Sequence, residues 1–178
     1  MKNNFFYKKQ YSNIYKTTSR FSEVTSQIIY GEKFKILSKN KDWIKIKSLF
    51  DNYVGYIKNE NYIKNYKPTH KVYTLKAIIY SKPNNKTKTF LPFASKFSII
   101  NENKNFIQFD KNKWLKKKDI KKIDHKEKNF FKILRLFLKT KYVWGGKTYN
   151  GIDCSALLQI FFYYNNLFYP RDTKDQIK

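Results

Sequence analysis

The sequence predicts an α+β chain in which two small β-barrels precede a segment led by helices. Three observations carry this expectation. Residues 20–124 hold short runs of alternating apolar and polar residues, parted by turn signals such as Ser38-Lys39-Asn40, Asp51-Asn52 and Asn101-Glu102-Asn103. Those runs recur: Phe34 answers Phe97, Ile36 answers Ile99, Trp43 answers Phe106 and Ile44 answers Ile107, always 63 residues apart. Beyond residue 126 the period lengthens to that of a helix, and a continuous apolar run follows Cys154.

Residues 1–19 are polar, rich in Lys and Asn, with scattered aromatics and no period; they are set down as an N-terminal arm, with a first strand as the alternative. Residues 20–66 form the first β unit and residues 70–124 the second. Lys67-Pro68-Thr69-His70 is the linker, because a proline pushes the residue before it into extended backbone. Units of this length built from short strands suit small closed or half-closed barrels. Residues 126–139 carry Phe130, Phe131, Ile133, Leu134, Phe137 and Leu138 at i, i+3, i+4 spacing and predict an amphipathic helix. A second helix, opening at Asp153, is apolar on nearly all sides, is expected at the centre, and stops near Asn165-Asn166. Pro170-Arg171-Asp172 then opens a new segment, which Asp172 or Thr173 could cap.

Composition bounds the function. Aromatic residues make up 19% and hydrophobic residues 41% of the 178, enough for packed cores. One cysteine excludes an internal disulfide framework. The start lacks an apolar stretch of signal-peptide length and no run approaches a membrane span, so a soluble, cytoplasmic protein is expected. The formal charge of +25 comes almost wholly from Lys; Arg occurs only at positions 20, 135 and 171. Lys, Asn, Ile, Tyr and Phe share A/T-rich codons, which accounts for the charge without a dedicated nucleic-acid site. Weak attraction to polyanions, and no specific nucleic-acid partner, is the expectation.

The stretch Tyr142 to Ser155, YVWGGKTYNGIDCS, concentrates the chemistry. It holds the only cysteine and three of the five glycines. A glycine-punctuated loop delivers Cys154 to the first turn of a helix, where free N–H groups and the dipole favour a thiolate. Asp153 is placed to be the N-cap. The competing reading of a lone cysteine beside Ala and Leu is a small buried hydrophobe.

YVWGG, a short loop, G-x-DCSxLxQ, an aromatic helix and then PRD closely resemble the NlpC/p60 family of cell-wall cysteine peptidases, here its dipeptidyl-peptidase-like branch. The resemblance implies a papain-like domain, of which residues 126–178 are the helical N-terminal half. It implies Cys154 as nucleophile, Asp153 and Ser155 as the pair lining the substrate site, Tyr142 as a further site-lining residue, and Trp144-Gly145-Gly146 as the loop ahead of it. The family usually has glycine after DCS, where this chain has Ala156. D-W-x-K-I followed by G-Y-I in the first unit looks like a bacterial SH3-type domain, and two such units in tandem resemble that branch. The SH3-type unit is then expected to wall one side of the cleft. Trp43 is assigned to packing.

A thiol peptidase also needs a base. In the family the base histidine follows the cysteine. His70 and His125 both precede it and are read as boundary residues. The chain is therefore expected to be truncated within the peptidase domain, inactive as it stands, and poorly supported around Leu157, Leu158, Ile160, Phe161 and Phe162. The expected substrates are short murein peptides, cut at the γ-D-glutamyl bond, with no cofactor and no metal. The alternative is a non-catalytic module that binds wall peptides or a protein partner.

Overall fold

The computed structural model describes residues 4–178. Seven antiparallel strands, β1 (Phe5–Tyr7), β2 (Tyr11–Tyr15), β3 (Val24–Ile29), β4 (Lys33–Lys39), β5 (Trp43–Ser48), β6 (Val54–Lys58) and β7 (Tyr62–Lys64), form the first sheet. Their order is β3-β2-β6-β5-β4-β1-β7. Tyr7, Ile14, Ile28, Phe34, Ile44 and Ile57 make its core. The residues set down as an arm therefore enter the sheet. Phe5 pairs with both Phe34 and Lys64, and of the scattered aromatics of this stretch Phe6 and Tyr7 are buried, Tyr7 only 1% exposed.

The second unit holds β8 (His70–Val72), β9 (Lys76–Lys82), β10 (Asn85–Pro92), β11 (Lys96–Phe97), β12 (Asn101–Glu102), β13 (Phe106–Asp110), β14 (Lys113–Lys116) and β15 (Ile120–Lys122). They make a five-stranded sheet, β10-β9-β14-β13-β12, and a three-stranded one, β11-β8-β15. The repeat read in the sequence is physical. Phe34 and Phe97 are both buried, as are Ile44 with Ile107 and Trp43 with Phe106, while Ile36 and Ile99 are both half-buried. The turns match as well. Asn40 Oδ1 accepts from the amides of Asp42 and Trp43 at 3.1 and 2.7 Å. Asn103 Oδ1 accepts from those of Asn105 and Phe106 at 3.0 and 2.9 Å. The two units meet backbone to backbone at Gly31, whose φ is +76°, and where a Cβ would fall 1.7 Å from the Lys96 carbonyl. The Lys96 amide donates to the Tyr30 carbonyl at 2.9 Å.

The C-terminal segment corrects the expected α+β architecture. The chain is mostly β, and residues 126–178 do not form a helical half-domain. Their helices are α1 (Phe130–Leu136), α2 (Cys154–Tyr164) and the single turn α3 (Thr173–Gln176), joined by turns and a hairpin of β16 (Lys147–Thr148) and β17 (Gly151–Ile152). The helix expected from residue 126 begins late because Asn165 holds the backbone of Glu127, accepting from its amide at 2.9 Å and donating to its carbonyl at 3.0 Å. Asn129 then caps α1 through the Lys132 amide.

Helix α2 is not central on all sides. Ala156, Ile160, Tyr163 and Tyr164 are buried with Ile29, Phe93, Ile133 and Phe137, so both β units and α1 supply partners the sequence did not reveal. Phe161 packs on Phe130, with ring centroids 5.0 Å apart, and Phe162 stacks on Tyr169 at 4.1 Å. Leu158 is the residue of this set left exposed. No helix of the described residues is long and apolar enough to cross a membrane.

Candidate functional site

Cys154 is the first residue of α2 and is exposed. Its position follows from local chemistry. Asp153 has extended backbone, and its Oδ1 accepts from the Ala156 amide at 2.8 Å, which satisfies a helix-start donor. The loop ahead needs its glycines. Gly145 has φ +73°, and a Cβ there would meet the Val24 carbonyl oxygen at 2.4 Å. Its amide donates to Asp153 Oδ2 at 3.0 Å.

Arg171 completes the support. It donates to Asp153 through Nη1 at 3.0 Å and Nη2 at 2.6 Å, to Ser155 Oγ at 2.7 Å, and through Nε to Ser26 Oγ at 2.9 Å. Ser155 Oγ donates in turn to Asp153 Oδ1 at 3.1 Å. All four residues are buried, with Arg171 at 3% exposed. A bidentate guanidinium–carboxylate pair in such a setting is strong and directional. It joins strand β3 to the start of α2 and leaves the intervening sulfur facing outward.

That sulfur opens into a cleft of about 610 Å³. One wall comes from the first β unit: Lys16, Glu23, Thr25, Tyr53 and Val54. The other comes from Trp144, Asp153, Ser155 and residues 171–174. None of these described lining residues belongs to the second unit. Trp144 Nε1 donates to Glu23 Oε1 at 3.1 Å across the gap. Glu23 is held below its usual carboxylate range by hydrogen bonds from Lys16 and Trp144. Burial pushes the Asp172 carboxyl up and the Tyr53 phenol up.

The structure thus brings Asp153, Cys154 and Ser155 to one cleft. It does not bring Tyr142 there; Tyr142 is 63% exposed, bridges to Ile152 and is outside the lining. Neither histidine is near the sulfur. His70 lies in β8 beside Phe97. His125 Nδ1 bonds the Tyr164 hydroxyl at 2.8 Å, at the far end of α2, about 15 Å along the helix from Cys154. Sequence reasoning missed Arg171, Ser26, Glu23 and Tyr53. The scarcity of arginine in a lysine-rich chain was the available signal for the first. No group of His, Cys, Asp and Glu among the described residues could hold a metal.

Comparison with known proteins adds the following. Residues 139–178 match the NlpC/P60 family, and residues 14–61 match the bacterial dipeptidyl-peptidase SH3 domain. The chain is 24% identical over 175 residues to the gamma-D-glutamyl-L-lysine dipeptidyl-peptidase of Bacillus subtilis, which covers 87% of this chain and 58% of that protein. The chain therefore spans somewhat over half the length of this relative. The crystal structure of an NlpC/P60 family protein from Bacillus cereus superposes over 97% of this chain and 76% of that one, with a TM-score of 0.81 at 15% identity. An NlpC/P60 endopeptidase from Photobacterium damselae superposes over 98% of this chain and 45% of its own, with a TM-score of 0.70 at 16% identity. The matches support the NlpC/P60 family, with one SH3-type domain ahead of the segment that carries Cys154.

Proposed function

We propose that this chain is the nucleophile-bearing part of a cysteine peptidase that acts on short cell-wall peptides at a γ-D-glutamyl bond. The observation that carries this is the exposed sulfur of Cys154, fixed at the start of α2 by the Asp153–Arg171 pair and open to a cleft walled by the first β unit. The bond assignment follows the activity named for the Bacillus subtilis relative. The thiolate would attack the amide carbonyl, the amine would leave with a proton, and water would hydrolyse the resulting thioester. Asp153 and Ser155 would shape the floor of the cleft while Arg171 keeps them in place. Tyr142 would reach only an extended part of the peptide.

Neither histidine lines the cleft, so among the described residues no histidine stands beside the sulfur as a base. Acylation of Cys154 by an activated substrate is therefore expected without steady turnover of a plain amide. Incubation with a γ-D-glutamyl thioester of a short wall peptide should add one acyl group to wild-type protein, seen by mass spectrometry, and none to Cys154→Ala. Equal labelling of both would overturn the nucleophile assignment.

A cleft with no histidine among its described lining residues also favours a second reading, a module that holds wall peptides without chemistry. Binding that is unaffected by Cys154→Ala, with no acylation of wild type, would select it.

A further inference from the structure

A second cavity, of about 640 Å³, lies on another side of the molecule, where the two β units meet the segment after α2. Its walls are aromatic and cationic. Phe6, Phe50, Tyr66 and Phe168 supply the apolar surface, and Lys33, Lys67 and Lys96 supply charge; no Asp or Glu is among its lining residues. Lys96 is its innermost cation. The Lys96 ammonium sits 4.2 Å over the Tyr163 ring and donates to Asn166 Oδ1 at 2.7 Å. No carboxylate pairs with it among the described residues. The nearby acid, Glu32, is taken by Lys147, with Nζ 3.0 and 2.9 Å from its two oxygens. Burial pushes Lys96 down to about 8, an effect that the charge of Glu32 only partly offsets. Tyr163 lines the same cavity at 2% exposure, beneath the Lys96 ammonium. A half-buried cation without a paired carboxylate costs free energy that a bound anion would recover.

We propose that this cavity binds a small organic anion, with its carboxylate at Lys96 and its flat apolar body against Phe50 and Phe168. Lys33 and Lys67 at the mouth attract the charge. The site is separate from the cleft, since Tyr163 lies about 14 Å along α2 from Cys154. A ligand here would bridge both β units and the end of α2, so occupancy would also stiffen the support of the cleft.

The test is calorimetric titration of the whole chain with 1-naphthoate and with its uncharged counterpart 1-naphthamide, at salt high enough to screen the general positive charge. One saturable site should bind the acid about tenfold tighter than the amide, the size expected of one charge-assisted hydrogen bond. Lys96→Met should abolish that preference. Phe168→Ala, at an exposed position, should weaken both probes about fivefold by removing a wall. Lys88→Met, on an exposed strand edge of the second unit, should change neither. Should Lys96→Met fail to fold, Lys33→Gln decides: the preference should drop about threefold. Equal binding of acid and amide, the absence of a saturable site, or a loss with Lys88→Met equal to that with Lys96→Met would overturn the proposal.

Discussion

The two ends of α2 are held by opposite means. Its start is tied to the first β unit by a charge pair, Arg171 with Asp153, in which every guanidinium nitrogen has a partner. Its end is tied to the second unit by a lone cation. Lys71 of β8 is fully buried and donates to the carbonyls of His125 and Tyr164 at 2.6 and 2.7 Å, with its ammonium 4.0 Å over the Tyr164 ring. Both arrangements satisfy the exposed backbone and side-chain groups of a helix terminus. Only the first also orients side chains at a reactive atom, and of the two β units the first, not the second, supplies described residues to the cleft. Rigidity at one end and a tolerated charge cost at the other are what separates a site-forming contact from a packing contact.

Breaking the charged end should have the largest effect. Arg171→Met leaves the Asp153 carboxylate buried without its partner and is expected to lower unfolding stability by about 3–5 kcal/mol. Urea denaturation measures this directly. The same variant should lose acylation of Cys154 under conditions where it is still folded, because the loop that presents the sulfur loses its anchor. Arg171→Lys, which keeps the charge and loses the fork, should recover only part of either property.

The lone-cation end should respond to pH instead. Burial, with help from Lys96 and Lys126, pushes Lys71 down to about 8, below its ordinary value of 10.5. The unfolded chain then binds more protons than the folded one between these values, so stability should rise with pH from about 8 upward. The rise is cut off near pH 10. There the unfolded tyrosines ionise, while Tyr7, pushed up to about 12 by burial, stays protonated in the fold, and this favours the unfolded state. Lys71→Met removes one source of the rise and leaves Lys96 and Lys8, which burial also pushes down, so the slope above pH 8 should shrink without vanishing. At neutral pH the loss should be small, about 1–2 kcal/mol, because two carbonyls lose a donor while the cost of burying a cation disappears.

The contrast also shows what the sequence could carry. The repeat was legible because its signals are local: an Asn turn and the strand after it lie within a few residues. Asp153 and Cys154 were legible for the same reason, as a cap followed by a helix. Arg171 was not, because its partners are Ser26, Asp153 and Ser155, and only the fold brings them together. The entry of residues 5–15 into the first sheet was hidden likewise, since Phe5 finds its neighbours at Phe34 and Lys64. The late start of α1 depends on Asn165, which no helical periodicity in residues 126–139 could announce.

The smallest effect tests whether the two β units are equivalent where they have not diverged. Asn40 and Asn103 each hold two backbone amides through one side-chain oxygen, at turns that lead into Trp43 and Phe106. Each replacement by Ala frees one exposed and one part-buried donor, which water can partly satisfy, so each should cost about 1 kcal/mol. The two losses should agree within about 0.5 kcal/mol and add in the double variant, since the sites share no partner. A loss at Asn40 several times that at Asn103 would mean that this turn supports the cleft as well as the sheet. The same comparison in the acylation assay would then separate the two roles, because neither asparagine lines the cleft.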